Sequence, residues 1–334
     1  MTDLPTASRG APPPGDAIRL VSIDQCRGFI ILWMLFGNFL GHLSFMPWIL
    51  QHHRVGLSLS ETVAPIFMFL VGMGYRSSFL RRMERQGIAD ARRAAVKRYV
   101  LIFCVGLPVY YGHWWDALTH IGMGGLILLP FIHRGPQARV VLAAVCLSLY
   151  QALFMFTPYG DWVMNSRVSL NGGPLAALSW GFALIMGSVA WDMMQTRMPD
   201  RVMREFLFYS LAFMAGGWLL SLPWPGVKDA WPFTRFGMTA PLPVYATGVA
   251  FAVYNLFFMF CERHQVRFPM FSPIGRNPLV IYAVLGILMG LSRLAIWHWG
   301  EPPPLFAALI YAAYASILYA VAVFLDRRHI LFRF

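Results

Sequence analysis

Two adjacent histidines, His52 and His53, stand in the segment Met46-Pro-Trp-Ile-Leu-Gln-His-His-Arg-Val-Gly56, with Arg54 beside them and Glu61 shortly after. Imidazole titrates near neutral pH and can serve as general base, general acid or acyl-accepting nucleophile. A carboxylate bonded to one ring nitrogen would fix the tautomer that such work needs. A pair of solvated surface histidines is the simpler reading of the same residues. Asn38 and His42 lie one helical turn apart and share a face. Asp24 and Arg27 do the same, which suits an anion-binding entrance or a capping salt bridge equally. His113, Asp116 and His120 form a further polar group. Gly275-Arg276-Asn277-Pro278 opens an apolar run, where helix N-terminal amides and a guanidinium can hold a phosphate. No His-rich metal spacing, Walker loop, GxGxxG or Gly-x-Ser-x-Gly elbow occurs, so no metal ligation is expected. Cys26, Cys104, Cys146 and Cys261 fall in or beside apolar runs and read as small buried hydrophobes.

What must position these groups follows from composition. Hydrophobic residues make up 58% of the 334 and charged residues 13%, which excludes an ordinary soluble domain and predicts an all-α, polytopic membrane bundle. The net charge of +12 needs no nucleic acid, because basic residues belong in cytoplasmic loops. About 10 spans are expected: Phe29–Phe45, Glu61–Phe79, Tyr99–Tyr111, Ala117–Ile132, Val140–Phe156, Leu175–Met194, Phe206–Leu222, Pro241–Cys261, Pro278–Trp297 and Leu305–Leu325. With both termini cytoplasmic, Arg54, Arg167, Lys228, Arg235 and Arg293 fall outside, and the rest of the 27 basic residues fall inside. A missed span would scramble that split. Residues 1–20, rich in Pro and Gly, read as a disordered cytoplasmic tail, and 21–334 as a single transmembrane domain. The basic stretch Arg81–Arg98 is expected as an amphipathic or interfacial helix. Asp192 is expected to snorkel at the inner end of its span. An ionisable group inside the bilayer costs several kcal/mol, about 2.5–3.5 at a helix centre on insertion scales, so each one marks a candidate site.

In chain order, Ser22-Ile-Asp24-Gln-Cys-Arg27-Gly28-Phe, a span ending in Asn38, then Gln51-His52 form a pattern. Gly56-Leu-Ser-Leu-Ser-Glu61-Thr-Val-Ala-Pro65-Ile-Phe-Met-Phe-Leu-Val-Gly72 continues it. Together they resemble the opening of the heparan-alpha-glucosaminide N-acetyltransferase family and its bacterial membrane relatives. Leu118-Thr-His120-Ile-Gly122 is similar to that family's L-Q-R-I-G stretch, and Ile274-Gly-Arg-Asn277-Pro-Leu-Val-Ile-Tyr282 to its G-x-N-x-L-x-x-Y segment. Glu61 stands where the family has Asp, and His120 where it has Arg.

The resemblance implies transmembrane acetyl transfer from cytosolic acetyl-CoA to an extracytoplasmic sugar or glycan, in a bacterial inner membrane. It places the active-site histidine on His52 and the neighbouring asparagine on Asn38, with Glu61 orienting the ring. Asp24, Arg27, Arg76, His120, Arg276 and Asn277 are the candidates for holding CoA. Two other classes stay open: a transporter using the same polar interior, and a silent subunit of a membrane complex. A homodimer is equally compatible with the sequence.

Overall fold

The computed structural model describes residues 20–109, 114–166, 169, 171–224, 231–295 and 300–330. The tail 1–19, His113, Arg167, Lys228, Trp297, His298 and the Arg293 side chain lie outside the described residues. Helix accounts for 78% of the structure and no strand occurs among the described residues, so the chain is all-α. The helices are α1 Val21–Phe39, α2 Leu59–Gln86, α3 Ile88–Val109, α4 Ala117–Leu128, α5 Pro136–Phe156 and α6 Tyr159–Asn165. They continue as α7 Ala177–Thr196, α8 Pro199–Leu220, α9 Pro241–Phe258, α10 Phe271–Arg276, α11 Pro278–Ala295 and α12 Pro304–Arg327. A helix occupies each of the ten runs expected from the sequence. Among the described residues, five segments are long and apolar enough to cross a membrane: α2, α5, α12, Pro174–Thr196 and Pro241–Arg263. Ala117–Leu128 and Pro278–Ser292 are shorter apolar helices.

Local chemistry sets the boundaries. α5, α8, α9 and α12 each start with proline in the first turn, where a missing N–H costs nothing. α4 starts with a capping box: Asp116 accepts from the Ala117 amide at 2.7 Å, and the Asp116 amide donates to Thr119 Oγ1 at 3.0 Å. α2 stops at Gly87, whose φ of +85° lies where a side chain would be strained. That glycine corrects the expectation for Arg81–Arg98. The stretch is two consecutive helices, the end of α2 and the start of α3, and not one interfacial helix.

Helix α2 is the axis of the bundle. It packs on α7, with Gly72 against the Leu184 carbonyl and Gly187 against the Phe69 carbonyl, so a methyl at either position would overlap backbone. Pro65 sits inside α2 and has no N–H for the Glu61 carbonyl one turn above. Helix α1 lies beside α2 and closes onto α10, where Gly28 meets the Phe271 carbonyl and Gly275 meets the Asp24 carbonyl. α3 pairs with α4, α5 with α7, and α8 with α9. One apolar core joins residues from Ile23 to Ala322.

Candidate active site

The loop between α1 and α2 folds back over the end of α1. The His52 amide donates to the Gly41 carbonyl at 2.8 Å, and Ser60 Oγ donates to the Leu50 carbonyl at 2.6 Å. The Gln51 side chain braces the turn by donating to the Met46 carbonyl at 2.8 Å. His53 stacks on Trp48, with ring centroids 4.4 Å apart, and its Nε2 meets the Trp48 carbonyl at 2.8 Å. The two histidines therefore face different ways, and the loop delivers His52 to the interior.

His52 Nδ1 lies 3.0 Å from Glu61 Oε1, and the same oxygen accepts from the His53 amide at 2.8 Å. The His52 side chain is 7% exposed and that of Glu61 is fully buried. Burial holds the His52 imidazole below its ordinary pKa, and the Glu61 hydrogen bond is the leading effect opposing this. With Nδ1 committed to the carboxylate as donor, Nε2 carries the lone pair. It is buried and has no hydrogen-bond partner among the described residues. A Cβ at Gly37 would lie 3.4 Å from Nε2, and one at Gly41 3.4 Å from Cδ2, so the ring rests against one glycine of α1 and one of the turn that follows it. A ring held by one nitrogen, with the other turned inward, is arranged for general-base or nucleophilic work.

A third group completes the site from far along the chain. Arg235 Nε lies 3.5 Å from Glu61 Oε2, and the guanidinium also stands 3.5 Å from His52 Nδ1. Its segment is pinned to the histidine loop: the Gly56 amide donates to the Phe233 carbonyl and Thr234 Oγ1 donates to the Arg54 carbonyl, each at 2.8 Å. A fixed cation here disfavours a charged His52. The sequence showed Arg235 merely as one of few basic residues on the expected outer side; that isolation was the available signal.

The other candidates fall in separate places. Asn38 is half-buried on α1 next to Gly37 in the chain and takes no part in the bonds holding His52 and Glu61. Asp24 and Arg27 pair at 3.8 Å, and Arg27 crosses to α2, donating to the Leu70 carbonyl at 2.9 Å and lying against Gly74. Arg76 forks onto Asp192 at 2.8 and 3.1 Å, and buried Arg139 binds the same carboxylate while donating to Ser188 Oγ at 2.8 Å. Asp192 is thus the counter-ion of two arginines, where the sequence suggested a snorkelling residue. Arg276 pairs with Asp326 at 2.5 Å, and Asn277 donates to the Ile330 carbonyl at 2.9 Å.

His120 is fully buried and stacks on Trp180 of α7 at 5.6 Å. Trp180 is separated from Asp192 by about 18 Å of helix rise, so His120 does not join the Arg76 group. Among the described residues no group of three or more potential metal ligands occurs.

These features define an all-helical membrane protein with a buried histidine–carboxylate pair at one end of its central helix. The family model for heparan-alpha-glucosaminide N-acetyltransferase, catalytic, matches residues 19–169, and that region, which holds α1 to α6, belongs to this family. No curated protein matches the chain.

Proposed function

We propose that the protein transfers an acetyl group from cytosolic acetyl-CoA to an amino sugar or glycan on the far side of a bacterial inner membrane. The observation that carries this reading is His52: Nδ1 held by Glu61, Nε2 buried and without a partner. In this reading His52 is the base or transient acetyl carrier, and Arg235 balances the charge of Glu61. Asn38, beside Gly37, would donate to the thioester carbonyl oxygen as charge develops there. The chain crosses the bilayer about 10 times with both termini cytoplasmic. That sidedness rests on the basic residues crowding one set of loops.

The opposite end of α2 has groups that fit an anionic nucleotide. The Tyr75 and Tyr99 rings meet at 4.5 Å, tilted by 55°, and both hydroxyls are buried with no partner among the described residues. Arg98 lies over the Tyr99 ring at 5.7 Å, and Arg27 lies across Gly74 next to Tyr75. Buried donors without acceptors are costly, and phosphate oxygens would satisfy them. Arg27, Tyr75, Arg98 and Tyr99 would hold the nucleotide end, with Arg76 and Arg276 adding positive charge nearby. Bound acetyl-CoA supplies the activated acetyl group. Gly37 to Arg27 spans about 15 Å of helix rise, which the pantetheine arm would bridge.

The test is direct. Purified protein is incubated with radiolabelled acetyl-CoA and glucosamine, and CoA release and sugar labelling are compared with His52→Ala. Loss of both in the variant supports the assignment. CoA release that persists unchanged in His52→Ala refutes it, and a protein that binds no CoA at all belongs with the silent-subunit alternative.

A further inference from the structure

The end of α1 brings a second imidazole to the histidine site. After Phe39 the chain tightens into a 3-10 turn over Leu40–His42. The His42 ring lies 5.0 Å from the His52 ring, tilted by 40°. His42 is exposed where His52 is buried, so the pair runs from the site to the surface. The charged and titratable groups facing them are Glu61 at the head of α2, Arg235 in the segment before α9, and His53 in the same loop.

Acetylating an amine through a histidine carrier leaves one proton to place. In the first half, the thioester C–S bond breaks as Nε2 of His52 bonds to the acetyl carbon, and the departing thiolate takes a proton from water on its own side. In the second half, the amine nitrogen bonds to that carbon, the Nε2–C bond breaks, and an amine proton must leave. His52 accepts it poorly, because Nε2 holds the acetyl group and Nδ1 donates to Glu61. Arg235 stays cationic and has no lone pair to offer. His53 is turned onto the Trp48 carbonyl. Glu61 is enclosed and already accepts two hydrogen bonds.

We propose that His42 is the general base of the second half-reaction, taking the proton of the attacking amine and passing it to water at the exposed face. This rests on the acetyltransferase reading above and adds a residue to it. The sequence placed His42 on a stripe with Asn38; the structure carries His42 past the end of α1 and brings its ring to His52.

The experiment uses the full chain in detergent with radiolabelled acetyl-CoA, comparing wild type, His42→Gln and His42→Ala. Two rates are read: the first-turnover release of CoA, and the loss of label from the protein to glucosamine or, without it, to water. The expected result is an unchanged CoA burst in both variants and label loss slowed by about 10²-fold. Free imidazole restores the rate in His42→Ala, and the pH dependence of the second step flattens in His42→Gln.

Label loss at the wild-type rate in His42→Gln overturns the proposal. So does a fall in both rates that imidazole does not rescue, the mark of a structural role. CoA release that requires glucosamine in the wild type also overturns it, since His52 would then be the base itself. No CoA release by wild-type protein refutes the underlying acetyltransferase reading and the role of His42 with it.

Discussion

Glu61→Gln keeps the shape of the carboxylate and removes its charge. In the folded protein Oε1 accepts from His52 Nδ1 at 3.0 Å and from the His53 amide at 2.8 Å, while Oε2 faces Arg235 at 3.5 Å. Hydrogen bonds to a charged acceptor contribute about 1.5–3 kcal/mol each and neutral ones about 0.5–1.5, so the two bonds together lose about 2–3 kcal/mol. Arg235 keeps 22% of its side chain exposed, and water offsets the loss of its counter-ion. The variant should therefore fold, with a lower melting temperature in detergent. Acetyl transfer should fall by about 10²–10⁴-fold, because an amide neither stabilises a charged imidazole nor fixes one tautomer. The pH profile has a definite sign. Burial lowers the His52 pKa and the Glu61 bond is the leading effect raising it. Removing the carboxylate drops the pKa further, and the acid limb of activity moves to lower pH. Turnover retained near wild type, or an acid limb that moves upward, refutes the role given to this pair.

Gly37→Ala places a methyl 3.4 Å from His52 Nε2, an ordinary contact distance. Melting should stay unchanged while acetyl transfer falls by about 10²-fold, because the methyl takes up the space beside Nε2 that a reacting carbon would need at about 3–3.5 Å; equal activity would show that Nε2 does not face the reaction. Asp192→Asn leaves Arg76 and buried Arg139 without their shared counter-charge, and should lower stability by about 3–5 kcal/mol, read from thermal melting. Because the folded protein holds His52 below its unfolded pKa of about 6.5, the unfolded chain takes up a proton that the folded one refuses as pH falls. Stability is therefore lost below about pH 6.5, and His52→Gln should flatten the melting-temperature slope between about pH 5 and 7. A slope identical to wild type would place the acid sensitivity elsewhere.

The membrane bundle was legible because apolar runs of fixed length must become helices in lipid, and a helix lies in each expected run. The pairing of His52 with Glu61 was legible as well, since both stand in one short stretch whose order resembles the family pattern. Arg235 was not, because 183 residues separate it from His52 and nothing local ties them. Its position depends on Phe233 and Thr234 bonding to the histidine loop, a tertiary event with no sequence period. Asp192 misled for a similar reason. A carboxylate near a span end looks free to reach water until Arg76 and Arg139, from two other helices, close on it. The break at Gly87 was readable in principle from one glycine within a helical pattern, but the density of arginines drew the stretch into one element.

The proline within α2 divides that helix into two mechanical parts. Below it, carbonyl-tight seating at Gly72 and Gly187 rivets the shaft to its neighbour. Above it, the turn bearing Glu61 lacks the backbone tie that would transmit the shaft's stiffness. The carboxylate is thus joined to the frame beneath it by one backbone hydrogen bond fewer than an unbroken helix would supply.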